Sequence, residues 1–244
     1  MESFLEKMIP VSPSDRFAFR CKQCGACCRH VKQSVIVETL DAFRLAKHLR
    51  DQGDSIEEMD DFLYKYAEPV PIHESGYPVF MLKTVGAEDA CIFLKDNICT
   101  VHAAKPRACR TYPVETGPDA RGGYEHYLSK EQPHHFKGPQ TTVKRWLRRY
   151  LSDKDRAFVD EDAGSAKEVA MLLGELQELY QRQAIVLFLY YRYSAFDLDK
   201  AFLPQYLANN QELKKALKTL VWKKDLQPKT ELQDLNSENQ NRVP

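Results

Sequence analysis

The sequence carries no excess charge of either sign: 35 Lys and Arg balance 35 Asp and Glu, leaving a formal net charge of zero. That balance argues against a dedicated nucleic-acid or anionic-membrane binder, which carries a basic excess, while leaving room for a local basic patch. Long apolar runs are also missing. The most apolar stretch, Ala184-Ile185-Val186-Leu187-Phe188-Leu189-Tyr190-Tyr191, is too short to cross a bilayer. The charged start Met1-Glu2-Ser3-Phe4-Leu5-Glu6-Lys7 lacks the apolar core of a secretory signal. The expectation is a soluble, cytoplasmic protein with no membrane partner. Glycine is scarce, at ten residues, and no Gly-x-Gly-x-x-Gly follows a strand. An ordinary Rossmann-type nucleotide fold therefore finds no support. No internal repeat of solenoid period is visible.

Cysteine is what the chain has in an unusual pattern. Four of seven fall in the octet Cys21-Lys22-Gln23-Cys24-Gly25-Ala26-Cys27-Cys28, and the others, Cys91, Cys99 and Cys109, share a second short segment. A reducing compartment disfavours disulfides, and an odd count cannot pair completely, so metal ligation is the expected use. Thiolates suit zinc, iron–sulfur clusters and copper(I). Cys-x-x-Cys brings two sulfurs to one ion within a turn, and Cys21, Cys24 and Cys27 extend this to three. Cys28 points away from Cys27 in most backbones, leaving it to serve a second ion, to bridge two ions or to face the core. Seven thiols exceed the four that a zinc ion or one [4Fe–4S] cluster takes. The surplus implies a multinuclear centre, or two sites completed by histidine. His30, His102, His126, His134 and His135 are the candidates. Arg20, Lys22, Arg29, Lys105, Arg107 and Arg110 lie near the cysteines in sequence and could offset a polythiolate's charge. Cys109, just after Pro106, would have its pKa lowered by a helix dipole.

Local patterns predict an α+β chain: a small metal-stapled domain of short strands and helices, then a mainly helical part. The expected organisation is an N-terminal arm at 1–15, a chelating domain at 16–150, a helical region at 151–227 and a disordered tail at 228–244. The arm reads as a short helix or extended piece broken at Pro10 and Pro13. Residues 34–38 read as a strand, and Thr39 as the cap of a helix over 40–50 that stops at Gly53. Ser55 with Glu58 has capping-box spacing for a helix to about Tyr66, ended by Pro69 and Pro71. Residues 78–85 predict a strand, and 91–94 with 98–101 predict a hairpin around Lys95-Asp96-Asn97. A short helix should follow with Pro106 at its first position, then a loop over 117–123 and a strand over 124–128. Further on, Thr141 or Thr142 caps a helix over 143–151. Ser165 with Glu168 suggests the start of a long helix, and 198–208 and 211–223 suggest two more.

The octet resembles the CxxCxxCC cysteine-cluster family, a zinc- or iron-chelating domain typified by YkgJ-like bacterial proteins. The likeness continues through Thr39-Leu40-Asp41-Ala42-Phe43-Arg44-Leu45-Ala46, Cys91-Ile92-Phe93-Leu94 and Cys99-Thr100-Val101-His102 to Lys105-Pro106-Arg107-Ala108-Cys109-Arg110-Thr111-Tyr112-Pro113. Phe136-Lys137-Gly138-Pro139 and Thr142-Val143-Lys144-Arg145-Trp146-Leu147 resemble the end of that domain. Many relatives carry a further cysteine shortly before the segment matching Phe136. This chain has none there, so that either His134 or His135 replaces it as a ligand or the site is one ligand short. The resemblance implies metal chelation, with a structural, sensory or auxiliary role. It also implies an enzyme alternative, because the domain occurs in flagellin lysine N-methylases, which use S-adenosylmethionine. A third reading is a zinc-stapled module whose helices bind a protein partner. Zinc knuckles also bind single-stranded RNA, but neutral charge and few aromatics near the octet make nucleic acid an unexpected partner.

Overall fold

The structure is a computed structural model that describes residues 8–71, 78–118 and 124–226. The predicted tail at 228–244, most of the 117–123 loop and the first seven residues lie outside that range. The chain opens with strands β1 (Met8–Val11) and β2 (Arg16–Ala18), the octet with a single 3-10 turn at Ala26–Cys28, and β3 (Ile36–Val37). Helix α1 (Thr39–Asp51) and helix α2 (Met59–Tyr66) follow. Next come β4 (Ala67–Pro71), β5 (Pro78–Leu82), β6 (Thr84–Val85), β7 (Ala90–Cys91), β8 (Leu94–Lys95) and β9 (Ile98–Cys99). Helix α3 (Arg107–Thr111) leads to β10 (Val114–Pro118), β11 (Tyr124–Ser129), a 3-10 turn at Pro133–His135 and β12 (Gln140–Thr142). The remainder is helical: α4 (Val143–Tyr150), α5 (Asp153–Glu175), α6 (Glu178–Leu189), a π turn at Tyr190–Ser194 and α7 (Phe202–Leu226). The fold is mixed α+β, with small antiparallel sheets and a helical C-terminal part.

Several local expectations hold and several shift. The strand at 34–38 narrows to Ile36–Val37, pairing with β5. Thr142 does cap α4, its Oγ1 accepting from Arg145 N at 3.2 Å. The first described residues are not helical: Met8–Val11 form a strand against β11, with Pro10 on an edge that spares its missing N–H. Gly117 and Pro118 belong to β10 rather than to a loop. Pro69 and Pro71 lie in β4, pairing with β5. Pro106 sits one residue before α3 instead of inside it.

Both predicted capping boxes are displaced. Glu58 with Asp61 caps α2, while Ser55 accepts from Lys65 Nζ at 2.7 Å. Ser152 with Asp155 opens α5, and Ser165 lies inside that helix with its hydroxyl on the Asp162 carbonyl at 3.1 Å. The two C-terminal helices are one. Asn209 and Asn210 read as a break, but Asn209 Nδ2 donates to Ala195 O at 2.7 Å and Asn210 is buried. An asparagine whose side chain is engaged elsewhere no longer competes with its own helix backbone.

Two apolar cores result. The larger joins Leu40, Phe43 and Leu45 of α1, Phe62 of α2 and Phe80 of β5 to Phe158, Phe188, Tyr206 and Leu213 of the helical part. The smaller contains Phe17, Phe19, Val114, Leu128, Val143 and Trp146. Between them lies a charged bolt. Asp155, 1% exposed, accepts from Arg110 at 2.8 and 3.1 Å, from Ser152 Oγ at 2.6 Å and from Arg44. Asp41, also 1% exposed, accepts the Arg107 backbone N–H at 2.9 Å and faces Arg110 at 3.4 Å. Arg107 forks onto Glu38 at 2.7 and 2.5 Å. These contacts seat α3, too short to be stable alone, against α1 and α5. No helix among the described residues is long and apolar enough to cross a membrane.

Burial would raise the Asp155 carboxyl, but the hydrogen bonds from Arg110, Arg44 and Ser152 outweigh it and hold it far below its usual value. A depressed folded pKa contributes stability above the unfolded value near 3.8, lost as pH falls through the folded one. Asp155→Asn leaves Arg110 and Arg44 facing an amide, and should cost about 3 kcal/mol at pH 7. Chemical denaturation from pH 7 to pH 2 checks both parts: the variant should lose less stability on acidification than the wild type.

Candidate metal centre

The octet is tethered at both ends and pressed in its middle. Arg20 N–H donates to His135 O at 2.9 Å just before it. His30 and Val31 N–H donate to Glu88 and Asp89 O at 2.8 and 3.1 Å just after it, on the turn that leads to Cys91. Gly25 has φ +71°, and a Cβ there would meet Asn97 O and Leu94 Cδ1 at 3.0 Å each. Glycine is thus required twice over, for the left-handed turn and for the close approach to the β8–β9 turn. In that turn Asp96 and Asn97 both adopt positive φ, as a two-residue hairpin demands, and Asn97 accepts from Arg29. The hairpin is tighter than expected. Leu94 pairs with Cys99, while Cys91 belongs to a separate ladder opposite Thr84.

Cys21, Cys24, Cys27, Cys28, Cys91, Cys99 and Cys109 all line one cavity of about 200 Å³ between the two cores. Tyr112, Glu115, Glu131, His102, His135 and Lys105 complete its polar wall. The sulfurs are close enough to feel one another. A negative charge on Cys27 raises Cys28, Cys91, Cys99 and Cys109. Cys27 itself is held down to about 7, chiefly by the contact with Cys28 Sγ at 4.0 Å, with help from Lys105. Burial pushes Cys91 up to about 11 and raises Cys99. The expectation for Cys109 is reversed. Burial first, then its thiol neighbours, raise it, and a single-turn helix supplies too little dipole to compensate.

The histidines separate cleanly. Cys24 Sγ lies 3.4 Å from His134 Nε2 and 3.2 Å from His135 Nε2, and the three donor atoms fall within 4.8 Å of one another. The 3-10 turn at Pro133–His135 presents both rings side by side, with centroids 4.1 Å apart. A tetrahedral ion with bonds of about 2.0–2.3 Å spaces its ligands by roughly 3.3–3.7 Å, so this set fits zinc or iron. His135 is buried, which lowers its pKa and favours the neutral ligand form. His102 lines the same cavity. His126 does not: its Nδ1 bonds Thr116 Oγ1 at 2.9 Å on the β10–β11 sheet. His30 carries its exposed side chain outside the cavity lining.

The nearby cations divide in the same way. Lys105 lowers Cys27, Cys99 and Cys109 and is the cation that serves the thiols. Arg107 and Arg110 are committed to Glu38, Asp41 and Asp155, so their work is to place Cys109, not to offset its charge. Arg29 is engaged by Asn97 and Glu88. Sequence reasoning missed Tyr112, whose buried hydroxyl faces Ser129, and the acidic pair Glu115 and Glu131. Only the Tyr112 position inside the Lys105–Pro113 motif could have pointed to it.

Metal-free protein should therefore react with iodoacetamide first at Cys27 as pH rises through about 7, with Cys28, Cys91 and Cys109 slowest. Peptide mapping by mass spectrometry checks the order, and bound metal should suppress the Cys27 reaction.

Comparison with curated proteins and with solved structures finds no match. A family model does match residues 20–136: CxxCxxCC, described as "Putative zinc- or iron-chelating domain". That span contains all seven cysteines together with His134 and His135, and it is this segment of the chain that is similar to the CxxCxxCC family.

Proposed function

We propose that the protein chelates metal in a multinuclear thiolate centre, with iron–sulfur favoured over a single zinc ion. One observation carries this reading: seven cysteines from two distant segments converge on one cavity, with His134 and His135 added at Cys24. Nine soft or borderline donors exceed what a mononuclear site uses. Cys24 with the two histidines would hold one metal. Cys21, Cys27, Cys28, Cys91, Cys99 and Cys109 would hold the rest, with Lys105 moderating their charge. Bound iron–sulfur supplies redox or Lewis-acid chemistry. The chain's own part is to exclude bulk water and to set thiol basicity. Chelation belongs to 16–150, and 151–227 acts as the scaffold that carries α1 and α3.

Ligands must lose their protons to bind, so affinity should rise with pH as Cys91, Cys99 and Cys109 are titrated by the metal. Anaerobically purified protein should be brown and contain iron with acid-labile sulfide. A colourless protein holding only stoichiometric zinc after reconstitution would instead identify the zinc-stapled module. Cys24→Ala and His135→Ala should each lower metal content, Cys24→Ala also loosening residues 16–140 more than the C-terminal helices in hydrogen exchange. Unchanged metal content in both would sink the assignment. Calorimetric titration of the loaded protein with S-adenosylmethionine tests the methyl-transfer alternative, which requires saturable binding.

A further inference from the structure

Beside the metal cavity lies a basic surface that chelation does not use. Arg16, Arg20, Lys144, Arg145, Arg148 and Arg149 line two adjoining grooves of about 410 and 870 Å³. The grooves share Gln140, Thr141, Arg145 and Arg148, and no acidic residue among the described ones lines either. All six cations are exposed, and none pairs with a carboxylate among the described residues. Elsewhere the same chain pairs its cations closely, as with Arg44, Arg107 and Arg110. Neutral overall composition makes this local segregation the more pointed, because six like charges repel one another unless an anion sits among them.

The surface is also built rigidly. β12 pairs with β2, setting Thr142 opposite Arg16 and Gln140 opposite Ala18. Val143 and Lys144 N–H donate to Asp15 and Pro13 O at 3.0 and 2.9 Å, fixing the start of α4. Trp146 Nε1 donates to Thr111 O at 2.7 Å, a buried bond that clamps α4 onto α3. Arg145 and Arg149 are four residues apart, so they stand on one helical face about 6 Å along the axis. Tyr150 and Trp146 supply aromatic surface in the larger groove. Guanidinium forks on a fixed frame match phosphate oxygens in pairs, which ammonium groups do not.

We infer that this groove binds a ligand carrying two or more phosphates, in a nucleotide or a short phosphodiester chain. Such a ligand would extend toward the metal centre, because Cys21 lines both the larger groove and the thiol cavity. The inference stands apart from the identity of the metal.

Binding of fluorescent ADP and of a fluorescent ten-nucleotide single strand to the full-length protein tests it, with anisotropy read across a salt series. The expected result is saturable binding of at least one probe, weakening with salt. Arg145→Glu with Arg148→Glu should reduce affinity about tenfold or more, with metal content and circular dichroism unchanged. Arg145→Lys with Arg148→Lys should retain part of it, since charge survives without the fork. A nucleotide site favours ADP and a phosphodiester track favours the strand; either supports the proposal. Failure of both probes, or affinity indifferent to charge reversal, overturns it. So does binding confined to vesicles of anionic phospholipid. Absence of metal from the wild-type protein, with probe binding still sensitive to charge reversal, would fault the metal reading alone.

Discussion

The arrangement depends on getting Cys109 to the octet, and that task falls to two buried carboxylates. α3 spans Arg107–Thr111, too short to persist on its own. Asp41 caps its first N–H and Asp155 grips Arg110 from the far side, so the segment is fixed between α1 and α5. Each carboxylate is desolvated and would be costly alone; each is answered by arginine and by further hydrogen bonds. The arginines beside Cys109 are therefore positioning residues. Their charge is spent on the scaffold, which leaves Lys105 as the cation facing the sulfurs.

The same logic explains a large helical half behind a small thiol site. Phe158, Phe188 and Tyr206 share one core with Leu40, Phe43 and Phe80, so the helices steady the elements that deliver cysteines. Within the octet only Gly25 is buried, and its regular structure is one 3-10 turn. The octet takes its place from contacts at its flanks, through His135, Glu88 and Asp89, and from Gly25 against Asn97. Removing metal would thus loosen the octet first and leave the cores standing, unlike a zinc finger, whose fold is its metal site.

How much of this was legible in the sequence varies by element. The octet, the turn at Asp96-Asn97 and the helix expected over 40–50 follow from spacing and turn chemistry, although that helix begins one residue early, with Glu38 rather than Thr39 at its cap. Gly25 could be read as a turn residue, but not as the point of contact with Asn97, because that contact is tertiary. His134 and His135 were visible only through a cysteine missing by comparison with the family pattern. The pairing of Arg107 and Arg110 with Glu38, Asp41 and Asp155 is not legible, since nearness in sequence to a thiol says nothing of which way a long side chain turns. Asn209 and Asn210 misled for a related reason: their partners lie on the turn before α7, out of reach of any local rule.

Charge distribution joins these points. The protein pairs the cations that hold the frame, such as Arg44, Arg107 and Arg110, and gathers six without a carboxylate partner among the described residues on the face where Arg20 precedes Cys21 and α4 crosses beside it. A thiolate centre is itself electronegative, so free guanidinium groups at its edge raise the local potential and draw anions toward it. That arrangement is poor design for a staple, which needs no approach route. It suits a centre whose ligands exchange or whose chemistry involves a second, anionic molecule. The neutral sum of the composition concealed it, because thirty-five charges of each sign can cancel in number while remaining far apart in space.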